Sequence, residues 1–288
     1  MRISDIKYKA AEILEIDKTL IIKVCICIGV ISSICTYISN IIPGFLGSIV
    51  SLAITIGTMT LAHGYVTTSL KAVNNRYDEI DIQKDSLTGI YRFKELFGTY
   101  FIHSFFLFII LMVLGLIGFV IAKGMVSNST INEFRYLLNL DINQITDSIL
   151  STNAVQEILD VAGFIMLYCL FIAVIVLIYM ANFSLTFFIV EKYQIKGAEA
   201  MKESMRLMKG YKRTYCLLCL SYLGWIILAA IIEYMLFSFL PISLITGIVG
   251  VIISNILYNA KFNISLAVLY EEIDLAKDMN TNTMENGV

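Results

Sequence analysis

Residues Ala200–Trp225 read AMKESMRLMKGYKRTYCLLCLSYLGW, a basic, methionine-bearing segment that passes into an apolar run without a proline or a loop. On a helix, Lys202, Arg206, Lys209 and Arg213 recur at spacings of four, three and four residues and share one stripe, with Lys212 beside it. Met201, Met205 and Met208 form the neighbouring apolar stripe. The pattern predicts a helix lying in the headgroup region of a bilayer, with methionines among acyl chains and cations against phosphates. Each cation near an anionic leaflet contributes ~1 kcal/mol, fading within a Debye length. The plainer role of these charges is a topological lock combined with an interfacial anchor. The sharper one is contact with a lipid headgroup or an acidic partner. Tyr215–Trp225 are expected to enter the bilayer.

Outward from this stretch, composition agrees with a membrane setting. The 288 residues are 58% hydrophobic and 15% charged, with a mean hydropathy of +0.80. Soluble domains carry about 25% charged residues, so this chain lacks the polar surface to cover itself. Its apolar blocks are long enough to cross a ~30 Å hydrocarbon core at about 1.5 Å per residue. Six transmembrane helices are predicted, at about 19–40, 44–67, 99–123, 160–190, 214–238 and 243–269. Helical rather than alternating hydrophobicity argues against an outer-membrane barrel. The fold expected is all-α: a single six-helix membrane domain over 1–274 and a disordered cytoplasmic tail over 275–288. The opening MRISDIKYKAAEILEIDK has charges to Lys18 and no small-residue cleavage site, so it is expected to remain in the mature protein.

Basic residues set the orientation. Seventeen fall on one side of the predicted spans, from Arg2 to Lys277, and two, Lys123 and Arg135, on the other; Lys23 and Lys261 lie within spans. The positive-inside rule then places both termini in the cytoplasm. Three segments, SDIKYKAAEILEID, SLTGIYRFKELFG and GAEAMKESMRLMKG, each lead as an amphipathic helix into a predicted transmembrane hairpin. Placing Ile16, Gly98 and Gly210 in register brings Leu14, Leu96 and Met208 together, a weak internal repeat. Pro43 and Pro241 fall at outer turns, where a proline ends a helix cheaply. The outer segment 124–159 is acidic, and Leu137, Leu138 and Leu140 suggest a short surface helix. Its Asn128-Ser129-Thr130 matches a glycosylation acceptor, relevant only in a secretory-pathway host. The Ile-, Asn- and Lys-rich composition points instead to an AT-rich bacterium.

Chemistry-bearing patterns are few. Cys216 and Cys219 form a CxxC, but its spacer is Leu-Leu and no second pair or nearby histidine follows, so buried apolar thiols are expected rather than metal or redox chemistry. His63 and His103 have no partner at ligand spacing, and no metal or other cofactor is expected. No Walker A, GxSxG or HExxH motif occurs, which argues against an enzyme, and nothing points to nucleic acid. The sixth span, IISNILYNAKFNISLAVLYEEI, is unusual. Asn255, Asn259 and Asn263 recur every four residues on one face, and Lys261 interrupts the same span. Polar groups within a span face the bundle or a wet cavity. Two roles stay open: hydrogen bonding between helices at about 0.6 kcal/mol per bond, or a polar pathway.

The run EAMKESMRLMKGYKRTYCLLCLSYLGW resembles the signature of a bacterial multi-pass membrane family described as domain of unknown function 975. The N-terminal ISDIKYKAAEIL, Gly64-Tyr65 with Leu70 and Arg76, and Tyr258, Ala260 and Leu269-Tyr270-Glu271 fit it too. At Val190-Glu191-Lys192 the chain departs from the family's pattern, and its outer segment is long. The resemblance implies a six-helix integral membrane protein without an assigned activity. A looser similarity to the membrane region preceding some glycerophosphodiester phosphodiesterase domains points toward lipids. The expectation is a non-enzymatic bacterial inner-membrane protein, lipid-associated or accessory, in contact with anionic phospholipids. The alternative is a small permease or export factor using the polar face of the sixth span.

Overall fold

A computed structural model describes residues 2–42, 44–130, 132, 152–239 and 243–285. Pro43, Pro241, the leucines at 137, 138 and 140, and residues 286–288 lie outside the described residues. The described chain is helical, without strands among the described residues. Its elements are α1 (Ile3–Ile16), α2 (Lys18–Ile41), α3 (Gly44–Met59), α4 (His63–Val73), α5 (Ile82–Ser86), α6 (Thr88–Tyr91) and α7 (Phe93–Gly124). They continue with α8 (Thr152–Phe183), α9 (Thr186–Tyr193), α10 (Gly197–Leu207), α11 (Lys212–Phe239), α12 (Ser243–Ser254) and α13 (Ala260–Glu285). Asn255–Asn259 form a π-type turn joining the last two.

Six segments are long and apolar enough to cross a membrane: Lys18–Ser39, Ile49–Val73, Phe93–Gly124, Val155–Tyr193, Lys212–Ser238 and Leu244–Lys277. Two of them are interrupted where the sequence predicts unbroken spans. The second stops at Met59, turns through Thr60–Ala62 and restarts at His63. The fourth stops at Phe183 and restarts at Thr186. No proline marks either break. Both are stabilised from elsewhere in the chain, since backbone groups freed in an apolar setting need partners. Thr60 Oγ1 donates to the Gly89 carbonyl at 2.8 Å. At the other break the Ser204 hydroxyl donates to the Asn182 carbonyl at 3.0 Å and accepts from the Leu185 N–H at 3.2 Å. Gly89 is required by this closeness, because a Cβ there would stand 1.9 Å from the Thr60 carbonyl oxygen.

The chain divides into two compact units, residues 1–103 with 181–288, and residues 104–180. In the first, α2 packs on α3 and α12, and α12 packs on α11. The short helices form a layer around the later part of α13: α1 and α4 pack on it directly, α10 touches it, and α9 bridges α4 and α10. Ile6, Ala10 and Leu14 of α1 are buried there, and so are Ala200, Met201, Ser204, Leu207 and Met208 of α10. The aligned positions Leu14, Leu96 and Met208 are all buried.

Three expectations change at this point. Met201 and Met208 pack inside the protein rather than among acyl chains, because α13 and α9 cover that face; Met205 alone of the three is exposed. The second lead-in is not one helix but α6 followed by the first turns of α7, with Arg92 between them. The segment from 275, expected to be disordered, is helical through Glu285. Lys277 there pairs with Glu203 of α10 at 2.8 Å, and Lys9 of α1 pairs with Glu272 one turn earlier.

The second unit is a pair of long helical segments. Tyr168 donates to the Leu114 carbonyl at 2.7 Å, its ring resting where a Cβ on Gly118 would be. Phe108, Leu116, Phe119, Val120, Met166, Leu167 and Leu170 are exposed. So much contiguous apolar surface is incompatible with water and suits lipid.

Candidate functional site

The two interrupted spans bring ionisable groups into contact from distant parts of the sequence. His63 opens α4 directly after the first break and its side chain is fully buried. One ring nitrogen, Nε2, lies 2.9 Å from Glu191 Oε2, on α9 beyond the second break. The other, Nδ1, lies 3.1 Å from the Tyr100 hydroxyl, whose ring stacks on Phe187 at 3.9 Å between centroids. Glu191 also accepts from Arg92 at 2.5 Å, and Arg92 grips Glu95 through bonds of 2.9 and 3.2 Å. The bonds to Glu95 and then to Glu191 hold the Arg92 guanidinium above its ordinary pKa, against the opposing effect of burial. Lys196 completes the chain, 3.4 Å from Glu95.

This arrangement satisfies His63 in either charge state. As a neutral ring it donates to Glu191 and accepts from Tyr100; as a cation it donates to both. Sequence spacing gives His63 no metal-ligand partner and is silent on this contact. Glu191 stands 128 residues away, a relation no local spacing reveals. The available signal was Glu191 itself, a carboxylate within the apolar run FFIVEKY.

Beside Glu191 a cavity of about 620 Å³ opens, lined by Lys71, Asn74, Arg76, Lys192 and Glu271 among others. Its charges are paired internally. Lys71 meets the buried Asp85 at 2.6 Å, and Lys192 meets Glu271 at 2.7 Å and Asp274 at 3.0 Å. Tyr193 donates to Asp274 at 2.6 Å. Chemically, this network cross-links α4, α7, α9 and α13. Among the described residues no group of three His, Cys, Asp or Glu side chains is placed to hold a metal, and the six cysteines are free thiols.

The basic stripe lies elsewhere on the layer. Lys202, Arg206, Lys209, Lys212 and Arg213 are all exposed, on the face of α10 opposite its buried one and at the first residues of α11. Arg206 is engaged by Glu203 through bonds of 2.6 and 2.7 Å. Lys202, Lys209, Lys212 and Arg213 have no ion-pair partner among the described residues. Glu203 is pushed down to about 2 by Arg206 first and then by Lys277. Gly210, with φ at 94°, makes the turn between α10 and α11 that only glycine adopts without strain.

The asparagines of the sixth span form a ladder along their own helix. Asn263 donates to Asn259 Oδ1 at 3.0 Å, Asn259 donates to Asn255 Oδ1 at 2.8 Å, and Asn255 donates to the Val251 carbonyl at 2.9 Å. The Tyr65 hydroxyl, which donates to the Cys25 carbonyl at 3.3 Å, lies within reach of Asn255 and Asn259. Lys261 takes no part in the ladder. Glu233 lies against Gly250, where a Cβ would stand 2.9 Å from its carboxylate oxygen.

Six helices long and apolar enough to cross a membrane, with broad exposed apolar surfaces, point to a multi-pass integral membrane protein. The chain belongs to the family "Protein of unknown function (DUF975)", whose model matches residues 1–274. Comparisons with curated proteins and with solved structures gave no match.

Proposed function

We propose that this chain is a non-enzymatic, lipid-associated accessory component of a bacterial cytoplasmic membrane, with both termini in the cytoplasm. One observation carries the reading. Helix α10 is fastened to the protein through Ala200, Met201, Ser204, Leu207 and Met208, and this leaves four unpaired cations exposed where α11 begins its span. Cations that no carboxylate neutralises, set beside a span, suit phosphate-bearing headgroups. The seventeen-to-two asymmetry of basic residues supports the orientation. Arg206, held by Glu203, contributes less to headgroup contact than its neighbours.

The test is the lipid retained by full-length protein extracted in mild detergent from vesicles of mixed phosphatidylglycerol and phosphatidylcholine. Enrichment of phosphatidylglycerol is expected, and it should fall in the variant carrying Lys202→Gln, Lys209→Gln, Lys212→Gln and Arg213→Gln. Equal enrichment in the variant would remove the basis for the reading.

A further inference from the structure

Between α2 and α12 lies a second cavity, of about 300 Å³. Gly29, Ser33 and Thr36, with Tyr37 adjacent, share one face of α2, at helical spacings. Gly247 of α12 and Tyr65 of α4 complete the walls. The inner floor is closed by Val251, whose methyl occupies the place of a Cβ on Gly29, at 2.3 Å. Opposite Ser33 the missing side chain of Gly247 keeps the groove open, since a Cβ there would still stand 3.8 Å from Ser33 Oγ.

Every wall belongs to a segment that can cross a membrane. Ser33 lies fifteen residues beyond Lys18, about 22 Å along α2 at about 1.5 Å per residue. The groove therefore sits in the far half of a ~30 Å hydrocarbon core. Among the described residues the hydroxyls of Ser32, Ser33 and Tyr37 bond to no other protein group. An unpaired hydroxyl is disfavoured in an apolar medium, and these three, only partly covered by the protein, favour an occupant that hydrogen-bonds. A neighbouring groove makes the contrast. It is lined by Ile31, Cys35, Ile54, Leu61, Ile90 and Phe93, and suits an acyl chain. The hydroxyl groove carries no carboxylate, ammonium or guanidinium, so an ion would enter it uncompensated.

We propose that the groove walled by Ser33, Thr36, Tyr37, Tyr65 and Gly247 is a water-filled binding site for a small uncharged polyol. A polyol presents donors and acceptors to every wall at once and brings no charge into the bilayer. Beneath the floor, Tyr65 links the groove to the asparagine ladder and to the π-type turn that begins at Asn255. Such turns concentrate at functional sites.

The experiment uses the full chain in vesicles, with its six cysteines replaced by alanine and Ser33→Cys as reporter. A charged thiol reagent is present on both faces of the vesicles, with and without molar glycerol. Labelling is expected within about tenfold of the rate at an exposed Lys209→Cys control, slowed about threefold by glycerol, and not slowed by betaine of equal osmolality. Adding Gly247→Leu, which fills the groove, should abolish labelling at position 33 and leave position 209 unaffected. Thr36→Cys provides the same readout if Ser33→Cys does not fold. An unreactive thiol at both positions, or one that glycerol and betaine protect equally or not at all, overturns the proposal.

Discussion

Glu191 and His63, 128 residues apart in sequence, stand 2.9 Å from each other, and each follows an interruption in a different membrane-crossing segment. The contact ties α4 to α9, and Arg92 at the foot of α7 joins it through the same carboxylate oxygen. Removing one partner of a buried hydrogen bond costs about 1–3 kcal/mol, because the other group is left unsatisfied. Glu191→Ala should therefore lower the unfolding temperature in detergent more than His63→Ala does, since it leaves His63 without its carboxylate and Arg92 with Glu95 alone. A double-mutant cycle on the two sites should give a coupling of about 1–3 kcal/mol. Strict additivity would show that the contact carries no energy.

Packing separates the methionines of α10. Met208 is fully buried and Met205 is exposed. Met208→Ala should cost about 2–5 kcal/mol in the folded protein, whereas Met205→Ala should leave stability within about 0.5 kcal/mol. Equal effects, measured by thermal unfolding in the same detergent, would favour acyl-chain burial of both.

The glycine that closes the first break gives a sharper contrast. Gly89→Val forces a side chain into the Thr60 carbonyl and should reduce folded yield severely. Gly224 lies in the interior of α11 with open space around it. Gly224→Ala should be neutral or stabilising by up to about 1 kcal/mol. Gel filtration of both variants separates the two outcomes.

Acid reports on Glu203. A carboxylate whose folded-state pKa is depressed contributes stability that is fully present above its unfolded value of ~4.3. That contribution is lost as pH falls from there through about 2, where Arg206 and Lys277 hold Glu203. Wild-type protein should lose thermal stability between those limits, and Glu203→Gln should show a shallower decline. The same slope in both would place the acid sensitivity elsewhere.

The sequence announces the spans because each is a long apolar run, and Lys18–Ser39 and Lys212–Ser238 emerge close to their expected bounds. It hides the breaks at Thr60–Ala62 and Ser184–Leu185. Neither contains a proline, and what permits them is a hydrogen bond from another segment, Thr60 to Gly89 or Ser204 to Asn182. The stripe Lys202–Arg213 is legible from helical spacing alone. Its buried counterpart is misassigned from sequence, since a methionine face is equally apolar whether it meets lipid or protein. The asparagine periodicity is likewise visible, but a spacing of four permits bonding along the helix as readily as across it, and only the structure shows the ladder. The His63–Glu191–Arg92 cluster leaves almost no local trace, because its members come from three segments far apart in the chain.

The central claim, that the unpaired cations of α10 and α11 hold anionic lipid, is most directly tested through Trp225, the chain's single tryptophan. It is exposed on α11, thirteen residues beyond Lys212 and thus about 20 Å along the helix, where the chain of a lipid anchored at Lys212 would run. Quenching of its fluorescence by brominated phosphatidylglycerol should exceed that by brominated phosphatidylcholine. The preference should be about threefold or more, fall toward unity in high salt, and vanish in the variant lacking the four cations. Equal quenching by the two lipids in the unaltered protein at low salt would contradict the account.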